Sequence, residues 1–173
     1  TLDAGAKTPS TAAPDGEHFL YVIRGTGTAR VGVAMFPLEA EVWNFFLDIE
    51  RMSRCVPGVE SVEAVDDKTY RGKLKVKVGP IAATFGGVAR LTELDPPRRL
   101  VASVEGDDKA SASAVKAVFV AALAAVEGGT EVSYQMDVTL RGRLAQFGGP
   151  VIGATAKKMT AEFANNIRGQ LED

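Results

Sequence analysis

Side chains able to make or break bonds are few in this chain and widely spaced. There is one histidine, His18, and one cysteine, Cys55. His18 sits at the junction with a polar N-terminal stretch, so a Ser-His-Asp or Cys-His arrangement would have to recruit it from there. Cys55 lies just before Pro57-Gly58 with Arg51 and Arg54 close in sequence. A thiolate nucleophile at that position needs a depressed pKa, and a small buried packing residue fits the same pattern. No histidine or cysteine spacing suits a transition metal. Gly25-Thr26-Gly27 is not followed by the helix that a phosphate loop requires. Asp66, Asp67, Asp107 and Asp108 fall in polar turns, where solvated carboxylates are expected. The expectation is a protein without catalytic residues and without a metal.

The informative residues are apolar. Phe46, Val76, Phe85, Val104, Val118, Tyr134, Met136, Phe147, Val151, Thr155, Met159 and Phe163 are expected to converge between a sheet and the last helix, as core packing or as the lining of a cavity. The hydroxyls of Tyr134 and Thr155 and the amide of Gln146 could orient a guest carbonyl, since a few placed polar groups fix orientation in an apolar pocket. Arg141, Arg143, Lys157, Lys158 and Arg168 lie on or just before the same helix. They read either as a membrane or partner surface, each basic residue near an anionic bilayer contributing about 1 kcal/mol, or as an ordinary solvated helix face.

These residues are positioned by one long segment, Gly142 to Leu171. Its large apolar residues Phe147, Val151, Met159, Phe163 and Ile167 recur mainly every four positions along one drifting helical face, with Thr155 filling the gap. Between them stand Gly148, Gly149, Gly153, Ala154, Ala156 and Ala161. The face is short of volume, which predicts a hollow beneath it. Pro150, with Gly148 and Gly149, is expected to break or kink the helix early. That sets the secure helix at Pro150 and leaves Leu144 to Gly149 as a mobile first turn or lid.

Upstream, residues 1–17 lack large apolar side chains apart from Leu2 and are expected to be a flexible tail; residues 18–173 form one domain. A β-rich stretch from Phe19 to Met35 predicts a long or bent first strand. Two short helices follow, Glu39–Leu47 and Asp48–Cys55. Val42, Trp43, Phe45 and Phe46 crowd the first of them, which should be wedged into a sheet. Alternation then predicts strands at Val59–Val65, Thr69–Val78, Ile81–Leu94 and Arg99–Glu105, with Gly86-Gly87 as a bulge or a close backbone approach. Ser111–Val126 is alanine-rich enough for a helix, but its neighbours favour a hairpin with the strand containing Val132, Tyr134, Met136, Val138 and Leu140. The chain has 173 residues, 46% hydrophobic and 24% charged, with net charge −2. That balance fits one ordinary domain and does not favour nucleic acid. The longest apolar run, Ala117 to Val126, is well short of the roughly 20 residues of a membrane-spanning helix.

This order is that of an α+β helix-grip (START-like) fold: a curved antiparallel sheet of about seven strands wrapped around a long C-terminal helix, with two short helices after the first strand. The stretches FPLEAEVWNFFLDIERMSRCVPGVES, KVKVGPIAATFGGVARLTELDPP and GRLAQFGGPVIGATAKKMTAEF resemble the CoxG family of carbon monoxide dehydrogenase accessory proteins, within the START-like (SRPBCC) polyketide cyclase and lipid-transport superfamily. The resemblance runs from about Thr28 to Leu171. It departs at Phe19 to Gly25, an extended start, and at Gly148-Gly149-Pro150, where relatives are more evenly helical. It implies a non-catalytic accessory protein of a molybdenum-containing CO dehydrogenase or related hydroxylase, cytoplasmic and peripherally associated with the inner face of the cell membrane. It further implies no tightly required cofactor and a lipid quinone, such as menaquinone, as the hydrophobic ligand. The alternatives are a membrane-recruitment adaptor that uses no ligand, and a polyketide cyclase or hydrolase.

Overall fold

The structure is a computed structural model that describes residues 3–5, 20–32, 38–126 and 129–172. Eight antiparallel strands form one sheet in the order β1-β2-β8-β7-β6-β5-β4-β3. They are β1 (Asp3–Gly5), β2 (Leu20–Gly32), β3 (Val59–Ala64), β4 (Thr69–Val78), β5 (Ile81–Asp95), β6 (Arg99–Asp108), β7 (Ser113–Val126) and β8 (Gly129–Gly142). Helices α1 (Leu38–Leu47) and α2 (Ile49–Cys55) separate β2 from β3, and a 3₁₀ turn, Arg143–Phe147, leads into α3 (Gly148–Glu172). Within the span 1–17 expected as a tail, Asp3–Gly5 pairs with β2 as an edge strand, which with the seven others makes eight. The rest of that span, with His18, lies outside the described residues.

The alternation of β4 holds as read: Tyr70, Leu74, Val76 and Val78 turn inward, while Arg71, Lys73, Lys75 and Lys77 are exposed. Ser111–Val126 resolves as a strand from Ser113: β6 and β8 flank it, so successive residues turn their N–H and C=O groups to one neighbour and then the other, and the run completes the ladders of both. β6 extends to Asp108, beyond the expected end at Glu105. Gly86-Gly87 is no bulge, since the register to β6 is unbroken there and shifts instead between Leu91 and Glu93. It is a close approach: a methyl group on Gly87 would overlap the Glu105 carbonyl.

Pro150 does not break the last helix. α3 already starts at Gly148, and Pro150 falls in the first turn, where amide hydrogens have no carbonyl partner within the helix. Nor is Leu144–Gly149 a loose lid. Leu144 is 0% exposed and Ala145 5%. The Leu144 N–H donates to Ser113 Oγ at 3.1 Å, and that hydroxyl donates in turn to the Ser111 carbonyl at 3.1 Å.

The short helices close the opposite end. Val42, Trp43, Phe45 and Phe46 are all buried; Phe45 meets Phe46 edge-on at 5.8 Å, and the Arg51 guanidinium lies 5.0 Å from the Phe45 ring centre. Asp48 caps α2 by accepting from the Arg51 N–H at 3.1 Å, and Arg51 Nη2 donates to the Gln170 carbonyl at 3.1 Å. A cation at the carbonyl end of α3 also opposes the helix dipole. Cys55 is 0% exposed. Its thiol donates weakly to the Arg51 carbonyl at 3.6 Å, and its own carbonyl accepts from Asn166 Nδ2 at 3.1 Å.

Burial pushes the Cys55 thiol above its usual range, with Arg51 opposing in part. A raised folded pKa means the folded state holds the proton more tightly. The resulting stabilisation is complete below the ordinary thiol range and declines as pH rises through the folded value. Two outcomes are expected. At pH 8 Cys55 should react with a thiol reagent at least about tenfold slower in native protein than in urea, and equal rates would contradict its placement. Phe45→Ala should lower the unfolding free energy measured in urea by about 3–5 kcal/mol.

Candidate functional site

The core is divided. One buried cluster joins α1, Cys55, Leu100, Ala121, Leu123, Val132 and Ile167, with Phe119 and Phe163 packed against it. The other joins Val78, Ala83, Phe85, Leu140, Leu144, Ala145 and Ile152, with Val76, Phe147 and Val151 against it. On α3 the fully buried positions are therefore Ile152 near one end and Ile167 near the other. Between them Thr155, Ala156, Met159, Thr160 and Phe163 are only half-buried.

The sheet matches this pattern. The register sets Ala89, Val104, Ala117 and Val138 side by side across β5, β6, β7 and β8. They share the face that carries Leu100, Ala121 and Tyr134, yet all four are half-buried, as are Leu74, Leu91 and Met136 on the same face. Apolar side chains in mid-sheet, pointing at a helix, keep contact with solvent only where packing between the two layers is incomplete.

The expected site residues distribute themselves accordingly. Val104, Met136, Thr155 and Met159 fall in the loosely packed middle. Phe46 and Phe85, 7% and 6% exposed, are packing residues of the two end clusters. Val76, Phe147, Val151 and Phe163 border those clusters. Tyr134 is 6% exposed and stacks on Phe119, centroids 6.2 Å apart, with Phe163 edge-on to both at 6.1 Å.

Val118 does not join them. It pairs with Ser103 and Asp137 and lies on the outer face, 45% exposed. Its neighbour Phe119 takes the inward position, since a one-residue slip in a strand moves every side chain to the other face. The signal in the sequence is Lys116, which pairs outside with Glu105 at 3.1 Å and shares the parity of Val118.

Nor do the three expected polar groups converge. Gln146 is exposed beside the Leu140 end of β8, whereas Tyr134 lies six residues away along that strand, roughly 20 Å. The Thr155 hydroxyl already donates to the Val151 carbonyl at 3.1 Å. Only the Tyr134 hydroxyl is buried with no protein partner. Burial raises its pKa, so at neutral pH it remains a protonated donor.

A separate groove of about 750 Å³ crosses the outer face over the paired glycines Gly72, Gly87 and Gly106. Its walls carry Arg71, Lys73, Arg90 and Lys116 against Glu63, Glu105 and Asp107. Arg71 meets Glu63 at 3.8 Å, so the groove is mixed in charge and is not a basic track. Arg141, Arg143, Lys157, Lys158 and Arg168 are all exposed, with Lys158 3.9 Å from Glu162. Among the described residues no cluster of histidine, cysteine or carboxylates could hold a metal ion. No helix there is long and apolar enough to cross a membrane.

Solved structures share this architecture. A conserved protein from Geobacillus kaustophilus aligns with a TM-score of 0.73 at 21% identity, covering 86% of this chain and 93% of its own. An uncharacterised protein from Rhizobium leguminosarum gives 0.65 at 13%, covering 91% and 99%, and Ara h 8.0201 gives 0.53 at 15%, covering 88% and 97%. At these identities the likeness establishes the helix-grip fold alone. No curated protein sequence matches. The sequence model of CoxG, an accessory subunit of carbon monoxide dehydrogenase, matches residues 33–172. A match over most of the length places the chain in the carbon monoxide dehydrogenase CoxG family.

Proposed function

We propose that this chain is a non-catalytic accessory protein of a molybdenum-containing CO dehydrogenase or a related hydroxylase. It takes an apolar lipid, a respiratory quinone such as menaquinone, into the space between α3 and the sheet and links the enzyme to the membrane. The observation that carries this reading is the half-buried apolar middle between two closed ends. Side chains such as Val104, Ala117, Val138 and Met159 gain about 25 cal/mol for each Å² of apolar surface that a guest removes from water. Nothing equivalent favours catalysis: Cys55 sits in the core with its thiol held neutral, and Asp66 and Asp108 hydrogen-bond to turn amides and are held as carboxylates below the usual range. An enzyme that delivers electrons to a membrane carrier needs a route for a molecule with a long apolar tail, and a helix-gripped interior has the right chemistry.

Protein purified from a host containing respiratory membranes should release close to one equivalent of lipid on organic extraction. Ala117→Trp and Met159→Trp, each placing bulk in the middle, should reduce uptake of a naphthoquinone with a short isoprenoid chain at least about tenfold by raising the cost of entry. Uptake unchanged in both variants would place the ligand elsewhere, and no uptake by the wild type would leave only the adaptor role. Flotation with vesicles containing anionic lipid should show binding that disappears near 1 M salt, where the screening length is about 3 Å. That binding should weaken at least about tenfold in the Arg141→Glu/Arg143→Glu variant. Salt-independent flotation would count against the basic surface.

A further inference from the structure

Tyr134 poses a problem that its surroundings do not solve. Its ring is well placed among Phe119 and Phe163, but its buried hydroxyl meets no protein acceptor. Such a group bears the cost of a hydrogen bond lost to water and not replaced, which phenylalanine in the same shape would avoid. The other hydroxyls near the middle of α3 are occupied locally: Thr155 donates to Val151 and Thr160 donates to the Ala156 carbonyl at 2.8 Å. Thr130 Oγ1 is also buried without a partner. It is separated from the middle by Val132, which is 1% exposed and lies between it and Tyr134 on the same face of β8.

We infer that Tyr134 is the head-group anchor of the interior, its hydroxyl donating a hydrogen bond to a neutral carbonyl oxygen of the guest while the guest's chain extends toward Val104, Ala117 and Met159. This rests on the ligand-binding reading above and adds an orientation and a chemical class. Tyr134 borders the packed α1 end, whereas the half-buried residues lie further along the sheet in one direction only, toward Met136 and Val138. A guest whose oxygen reaches Tyr134 therefore directs its remaining atoms along the middle. The class follows from charge. Among the described residues of β3 to β8 and the helices no lysine or arginine is buried, so a carboxylate placed beside Tyr134 would find no buried cation on these elements, which is costly in an apolar interior. A quinone, ketone or ester carbonyl needs only the one donor.

The test compares three probes with a common chain: an isoprenoid naphthoquinone, the hydrocarbon chain alone and a fatty acid. Wild type should bind the naphthoquinone most tightly. Tyr134→Phe should lower naphthoquinone affinity about tenfold, leave the hydrocarbon unchanged, and leave the melting temperature of ligand-free protein equal or higher, because the unpaired hydroxyl is gone. A tyrosine with a merely structural hydroxyl would instead lower the melting temperature and leave affinity alone, which overturns the anchor. Equal naphthoquinone and fatty-acid affinities overturn the neutral-carbonyl class. Uptake of naphthoquinone and hydrocarbon by wild type with no change in the variant overturns the anchor while the hollow stands; uptake of neither by wild type overturns both. Should Tyr134→Phe not fold, the infrared carbonyl stretch of naphthoquinone bound to wild type reads the same bond. A stretch lowered relative to quinone in hexane supports the anchor, and an unshifted one overturns it.

Discussion

A helix of 25 residues laid across a curved sheet must be buried along its length or leave apolar surface wet, and here the chain supplies bulk only at the two ends. At one, Ile152 and Leu144 meet Val78, Phe85 and Leu140; at the other, Ile167 meets the α1 side chains, Leu100 and Val132. The turns between carry Gly153, Ala156 and Ala161 on the half-buried side of the helix, and the sheet there carries Ala89 and Ala117, also half-buried. Two anchors fix the helix, so the middle need not be filled for the fold to hold. Hydrophobic stabilisation scales with area removed from water and is indifferent to where along the contact it is gained.

Polar groups reinforce the same division. The Ser113 hydroxyl ties the 3₁₀ turn to β7, so the entry to α3 is held by a hydrogen bond as well as by Leu144. Asp108, at the end of β6, accepts from the Ala110 and Ser111 amides and shapes the turn that delivers Ser113. At the other end Arg51 reaches the Gln170 carbonyl and Asn166 reaches the Cys55 carbonyl. These contacts satisfy main-chain groups that burial would otherwise leave unpaired. Tyr134 stands out against them because the surrounding protein does not do the same for its hydroxyl.

The inner and outer faces of the sheet have different roles. Inside, the side chains are apolar and nearly uncharged; outside, Arg71, Lys73, Lys75 and Lys77 on β4 face water, and Lys116 pairs with Glu105 across β6 and β7. The row Gly72, Gly87 and Gly106 joins the faces: backbone comes close enough that a side chain on Gly87 would collide with the neighbouring strand. This is where the outer groove runs. Its cations and anions are interleaved, giving a surface suited to specific polar contacts more than to a uniformly charged polymer.

Most of the architecture is legible in local pattern. The period-two alternation of Thr69–Val78 and of Val132–Leu140, the caps and breakers around α1 and α2, and the crowding of Val42, Trp43, Phe45 and Phe46 each fix an element through backbone geometry and burial that act over a few residues. Where both faces of a strand are largely apolar, local pattern is weak, and in β7 the single charge of Lys116 is what marks the outer face that Val118 shares, leaving Phe119 to point inward. Pro150 misleads for a related reason, since proline disrupts a helix interior yet suits a first turn, and only the completed fold says where the turn begins. The sequence by itself determined the helix-grip order and the shortage of volume along α3. The tertiary structure alone decided that the shortage falls between two sealed ends, and that Tyr134 rather than Gln146 or Thr155 holds the unpaired donor. Whether a hydrogen-bonding group is satisfied, and whether a gap is filled, depends on neighbours brought together from distant parts of the chain.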